Sequence, residues 1–175
     1  MRTPARVALV AALLSLTACG GQAQVNSGAP AVGGSPAVQA ASPVQQTVDF
    51  GAQYHFADGV TVLVSAPKSF RPSTSAYPRS ARAVAFEIAI HNDGDQPYRL
   101  SALSVSATAA GTAAKQVVDS TQGYSGIVDA GKDVPPGRDV QVTLAFAVPE
   151  PPSAMRLSLR PNATSSVVAV YCGSA

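Results

Sequence analysis

Ser65 and Lys68 stand three residues apart in Ser65-Ala66-Pro67-Lys68, the S-x-x-K spacing in which a lysine one helical turn away assists a serine nucleophile. Pro67 interrupts that turn at a strand end, and no K-T-G or S-D-N follows. Ser125 lies in Gly123-Tyr124-Ser125-Gly126-Ile127, close to a nucleophile elbow, but Ile127 occupies a position that needs glycine and no strand-to-helix pattern surrounds it. His55 and His91 are the only histidines. With Asp93 or Asp95 they would form a minimal metal site. The simpler reading is two separate polar residues at strand ends. Asp93-Gly94-Asp95 lacks the spaced oxygens and closing glutamate of a calcium loop. Copper carriage is weaker still, since Met155 is the only thioether beyond the leader. These patterns predict no catalytic residue, no metal ligand and no cofactor, and so not an enzyme.

A different chemistry is written between residues 68 and 82. Lys68, Arg71, Arg79 and Arg82 place four cations within fifteen residues with no acid among them. Phe70 and Tyr77 interleave with them, and Pro72 and Pro78 frame the loop. Such a loop can hold an anionic envelope ligand, a phosphate-bearing wall polymer or lipid head groups, against the plainer reading of a solvated loop. Outside this loop the charge is balanced. Twelve basic residues face ten acidic ones, and losing Arg2 and Arg6 with a leader leaves ten against ten. Nucleic acid is therefore not an expected partner.

Residues 1–18 read as a secretory signal. Arg2 and Arg6 supply its positive start, and Val7–Leu14 is an uncharged apolar run too short to span a bilayer. Leu16-Thr17-Ala18-Cys19 resembles the bacterial lipobox. That resemblance implies cleavage before Cys19 and a diacylglyceryl thioether on its sulfur, with palmitate-like chains. Two acyl chains hold stably where one is marginal, at about 0.8 kcal/mol per buried CH₂. The expected location is the cell membrane, lipid-anchored on its extracytoplasmic face. Residues 19–46 continue as a tether of Gly, Ala, Ser, Pro, Gln and Val without charge or periodicity, spanning about 30 Å as a flexible coil. Once Cys19 is acylated, Cys172 is left over. It reads either as a small buried side chain in phase with Val168 and Val170 or as one half of an intermolecular disulfide.

The elements that must position these residues lie in 47–175, which holds all ten aromatic residues. The hydrophobic period there is two. Val84, Phe86, Ile88 and Ile90 share one face, as do Val140, Val142, Leu144, Phe146 and Val148. Turn residues at Asp58-Gly59, Asn92-Asp93-Gly94 and Pro135-Pro136-Gly137 separate such runs. About eight strands are predicted, near 47–56, 59–66, 82–91, 99–108, 115–118, 139–148, 154–160 and 166–172. Leu100 is out of phase with Leu103 and Val105, which predicts a bulge or a misplaced strand boundary there. The pattern is that of an all-β, antiparallel sandwich. The stretches 68–81 and 119–134 are left as its long loops, the natural place for binding. Tyr124 and Ile127 are the expected apolar contacts of the second loop, tyrosine giving area at low entropy cost.

Five stretches in order carry a resemblance: Phe56-Ala57-Asp58-Gly59, Ala83–Asn92, Tyr98-Arg99-Leu100, Pro136-Gly137-Arg138 and Ala145–Pro149. Together with the lipobox and tether they resemble the uncharacterised immunoglobulin-like lipoproteins of high-GC Gram-positive (actinobacterial) bacteria. Those are related in fold to small secreted immunoglobulin-like antigens of mycobacteria. The resemblance implies an immunoglobulin-like sandwich and carries over no catalytic residue. The function expected is a non-catalytic binding or interaction module, its partner an envelope protein or a cell-wall polymer.

Overall fold

The computed structural model describes residues 42–175. The signal, Cys19 and nearly all of the tether fall outside them. Thirteen strands form in chain order: β1 Val44–Asp49, β2 Gln53–His55, β3 Val60–Val64, β4 Lys68–Phe70, β5 Ala83–Asn92, β6 Tyr98–Arg99, β7 Ser104–Ala109, β8 Thr112–Ala114, β9 Gln116–Val117, β10 Asp133–Val134, β11 Asp139–Ala147, β12 Ala154–Arg160 and β13 Val167–Ser174. One sheet runs β1-β13-β12-β7-β8 and the other β2-β3-β5-β11-β9, with β4 on the edge of β5 and a small β10-β6 pair beside them. The all-β sandwich expected from the period-two runs is the architecture observed.

The two sheets close on the faces the alternation marked. Phe86, Ile88 and Ile90 of β5, Leu144 and Phe146 of β11, Leu157 and Leu159 of β12 and Tyr171 of β13 are buried in one core. Each contributes about 1.5–3 kcal/mol by leaving water. Tyr171 donates its hydroxyl to the Val62 carbonyl at 2.8 Å, and Tyr98 donates to the Pro161 carbonyl at 2.8 Å. Burial pushes both phenols above their usual range, the Asp58 carboxylate adding to it at Tyr98. Both therefore remain proton donors.

Three local readings are refined. The stretch predicted as one strand over 47–56 is two strands, β1 and β2, in different sheets. The chain crosses at Gly51, where φ is +88°, a left-handed conformation glycine adopts at little cost. β1 starts at Val44, inside the stretch read as tether, and pairs parallel to β13, so the sandwich is not wholly antiparallel. Leu100 opens a short 3-10 turn, Leu100–Ala102, between β6 and β7 and is buried there. That turn accounts for its phase.

The register gives the sandwich two distinct ends. Val60 and Asp139 flank the Asn92 end of β5, and Phe70 flanks its Ala83 end. Val44 pairs with Val167, beside a loop whose Asn162 bonds Asp58. The chain thus enters at the Asn92 end, and the 71–82 loop lies at the other.

Candidate functional site

The basic loop does not hang free. It folds back over the outer face of the β5–β11 sheet, opposite the main core. Ala76, Ala83, Ala85, Val117 and Ala145 make a second small core there, with Phe70 and Tyr124 packed against it. The rings of Phe70 and Tyr124 lie 4.3 Å apart between centroids. Tyr77 and Val118 exchange backbone hydrogen bonds at 2.9 and 2.8 Å. The 68–81 and 119–134 stretches, predicted as separate loops, therefore form one platform.

Asp119 fastens it. Its carboxylate accepts the Ser73 backbone N–H at 2.7 Å, the Ser73 hydroxyl at 2.8 Å and the Thr121 hydroxyl at 2.7 Å. The residue is 1% exposed. The Ser73 N–H is the largest influence holding its carboxyl below the usual value, followed by the Thr121 hydroxyl, while burial opposes them. Gln122 adds a bond from its side chain to the Arg71 carbonyl at 3.0 Å.

On this platform Tyr77 is 80% exposed. Tyr124 is half-buried against Phe70, and Ile127 is half-buried against the main core. The two aromatic positions thus divide the work: Tyr124 builds the platform and Tyr77 stands out from it. The cations divide similarly. Lys68, Arg71 and Arg79 are exposed and pair with no carboxylate among the described residues. Arg82 is half-buried, and its guanidinium donates to the Ser69 hydroxyl at 2.9 Å and the Pro149 carbonyl at 3.0 Å. It clamps β4 to the turn after β11.

The patterns weighed for catalysis have structural places. Pro67 separates β3 from β4 along the same edge of β5. In that gap the Ser65 hydroxyl accepts the Glu87 backbone N–H at 3.0 Å, replacing a ladder bond. Ser125 follows a 3-10 turn, Ser120–Gln122, capped by Gly123 at φ +84°, and not a strand leading into a helix.

His55 and His91, expected as separate strand-end residues, share one row. Register places His55 opposite Thr61, Thr61 opposite His91, and His91 opposite Asp139, across β2, β3, β5 and β11. His55 Nδ1 lies 2.7 Å from the Thr61 hydroxyl, which donates to Asp93. His91 Nδ1 lies 2.7 Å from Asp139, and its Nε2 lies 3.2 Å from Asp93. The ring donates to both carboxylates only in its doubly protonated form. The two carboxylates sit on different ring nitrogens, and among the described residues no three His, Cys, Asp or Glu side chains converge as a metal centre. Thr61 is 7% exposed with its proton committed to Asp93, so it is a brace. Buried Asn92 holds the neighbouring turns, donating to the Gln96 and Val134 carbonyls at 2.8 Å each and accepting the Gly94 N–H at 3.0 Å.

Cys172 is half-buried, its thiol 3.6 Å from the Val170 carbonyl. In register it lies between Asp49 and Arg156.

Asp119 was not singled out in the sequence, Asn92 was read only as a turn residue, and His55, His91 and Asp93 were weighed only as a metal site or as separate strand-end residues, not as one row. The partners that decide their roles lie tens of residues away: Ser73 for Asp119, Val134 for Asn92 and Asp139 for His91.

No protein-family model matches the chain, and no curated protein matches it in sequence. Solved structures match in shape. An uncharacterised β-sandwich protein of Clostridium difficile superposes with a TM-score of 0.50 at 11% identity, over 77% of this chain and 97% of that one. MPT63, a secreted protein of Mycobacterium tuberculosis, gives 0.53 at 16% identity over 75% and 98%. A candidate lipoprotein of Bacillus subtilis, ycdA, gives 0.57 at 12% identity over 72% of this chain and 38% of that one. This chain thus spans well under half of ycdA. The likenesses establish the β-sandwich fold. They agree with the expected kinship in fold to a secreted mycobacterial protein and carry no membership of a lipoprotein family.

Proposed function

We propose that the protein is a lipid-anchored, extracytoplasmic, non-catalytic interaction module whose recognition surface is the braced platform of residues 68–82 and 117–127. The observation that carries this reading is Tyr77, a large aromatic side chain left 80% exposed on a loop fixed by Asp119. A rigid, exposed tyrosine beside cations is a good anchor for a protein partner. Lipid anchorage rests on the lipobox at Leu16–Cys19. Two of the proteins similar in fold are described as a candidate lipoprotein and as secreted, which fits that location.

A second reading has its own observation. Lys68, Arg71 and Arg79 carry no carboxylate partner among the described residues, which suits an anionic wall polymer. Cross-linking the anchored protein in its own cells, followed by mass spectrometry, separates the two. One recurring envelope protein, lost in Tyr77→Ala, supports the interaction module. Retention of anionic polymer, abolished by salt and by neutralising the three cations, supports the ligand reading. Neither outcome would sink both. For the anchor, a Cys19→Ala variant that still fractionates with membranes rejects lipidation.

A further inference from the structure

At the end of the sandwich opposite Tyr77, a groove of about 600 Å³ opens between the turn after β2 and the loop leading into β13. This is within the ordinary range of small-molecule sites, about 300–1,000 Å³. We propose that this groove binds a neutral saccharide.

The groove is built before any ligand arrives. The Asn162 amide donates to an Asp58 carboxylate oxygen at 2.6 Å and ties the two walls together. Its own oxygen accepts the Thr164 N–H at 3.0 Å and the Thr164 hydroxyl at 2.8 Å. Tyr54 forms part of the lining. Its ring is held edge-on to Phe56, with centroids 4.7 Å apart and planes at 73°. A fixed, half-buried ring gives a flat apolar wall with a polar tip, and the C–H face of a sugar ring matches such a wall.

The polar groups decide the class of ligand. His55, Asp58 and Ser166 line the groove, and the His55 Nε2, the second Asp58 carboxylate oxygen and the Ser166 hydroxyl have no protein partner among the described residues. They offer donors and acceptors together, as vicinal hydroxyls require. No lysine or arginine among the described residues lines the groove, and the neighbouring Arg160 guanidinium is committed to the Ser165 carbonyl at 3.0 and 2.7 Å, so an anionic ligand finds no free counter-charge and faces Asp58. A purely apolar ligand would strip water from these three groups without replacing their hydrogen bonds. A single carboxylate is too little for a hard divalent cation. A neutral, hydroxyl-rich molecule with an apolar face satisfies every wall.

The test uses the full-length chain carrying Cys19→Ser, with backbone amides followed by NMR. Chitotetraose, cellotetraose and an arabinose tetramer are each added to about 20 mM, ample for a Kd on the order of 1 mM. At least one should move the amides of 54–58 and 162–167. Ser166→Trp, which fills the groove from an exposed position, should abolish those shifts. Tyr54→Ala should weaken binding tenfold or more, and serves alone if the tryptophan variant is misfolded. Silence from all three sugars overturns the proposal. So do shifts that survive both variants, or shifts confined to the Tyr77 platform. The groove and the platform share no residue, so failure here leaves the proposed function standing, and the reverse holds.

Discussion

Asp119 accepts the backbone N–H of Ser73 at 2.7 Å across 46 residues of sequence. That bond turns two long loops into one surface. Without it, the exposed Tyr77 would sit on a segment that must be ordered on binding, at a cost in affinity.

Replacing Asp119 by Asn should therefore lower the melting temperature at neutral pH by about 5 °C. The pH dependence follows from the depressed carboxyl. A carboxyl with a lower pKa in the folded state stabilises the fold at pH above its unfolded value, near 4. That contribution is lost as the pH falls through that value toward the folded one. The melting temperatures of wild type and Asp119→Asn should converge below about pH 4. A constant gap across that window would show that the charge contributes nothing.

Tyr77 and Tyr124 should separate cleanly. Tyr77→Ala removes an exposed side chain and should change stability by less than about 0.5 kcal/mol, while the cross-linked partner is lost. Tyr124→Ala opens the contact with Phe70 and should cost about 2 kcal/mol. Chemical denaturation with a parallel cross-linking assay measures both. A binding loss confined to Tyr124→Ala would move the contact surface off Tyr77.

How much of this was legible depends on the range of the interactions. β11 and β12 were readable to within a residue, because period-two alternation is a local property of Asp139–Ala147 and Ala154–Arg160. The split at Gly51 was not readable. Val48 and Tyr54 both look like strand residues, and only pairing with β13 and β3 assigns them to different sheets. The cations of 68–82 were visible as a cluster. That Arg82 is spent on Ser69 and Pro149, leaving three exposed, depends on where β11 ends. The histidines and Asp93 were visible as residue types, but their arrangement in one row was not, because it is set by the register of four strands.

The division among the cations yields a third prediction. Arg82→Gln should destabilise by about 1 kcal/mol, because two charge-assisted hydrogen bonds are replaced by weaker ones. Combined neutralisation of Lys68, Arg71 and Arg79 to Gln should leave stability within about 0.5 kcal/mol. It should also flatten any salt dependence of binding. Thermal melts at two ionic strengths and a polymer-retention assay check this. Equal destabilisation by the triple variant would mean that its members hold the fold.

Asn92 offers the last and most local test. Its amide satisfies the Gln96 and Val134 carbonyls and the Gly94 N–H from a buried position. Asn92→Ala strands these groups and should cost about 2–4 kcal/mol. Gly59 faces the same turn from the β3 side. It has φ +81°, and an added Cβ would lie 2.9 Å from the Gly94 Cα. Gly59→Ala should therefore cost about 1–3 kcal/mol through strain and the clash together. Both variants loosen the turn that carries Asp93, so the His91 contacts should weaken with them. The His91 ring resonances in NMR report that directly. If either variant loses stability while those resonances stay unmoved, the turn and the histidine row are independent.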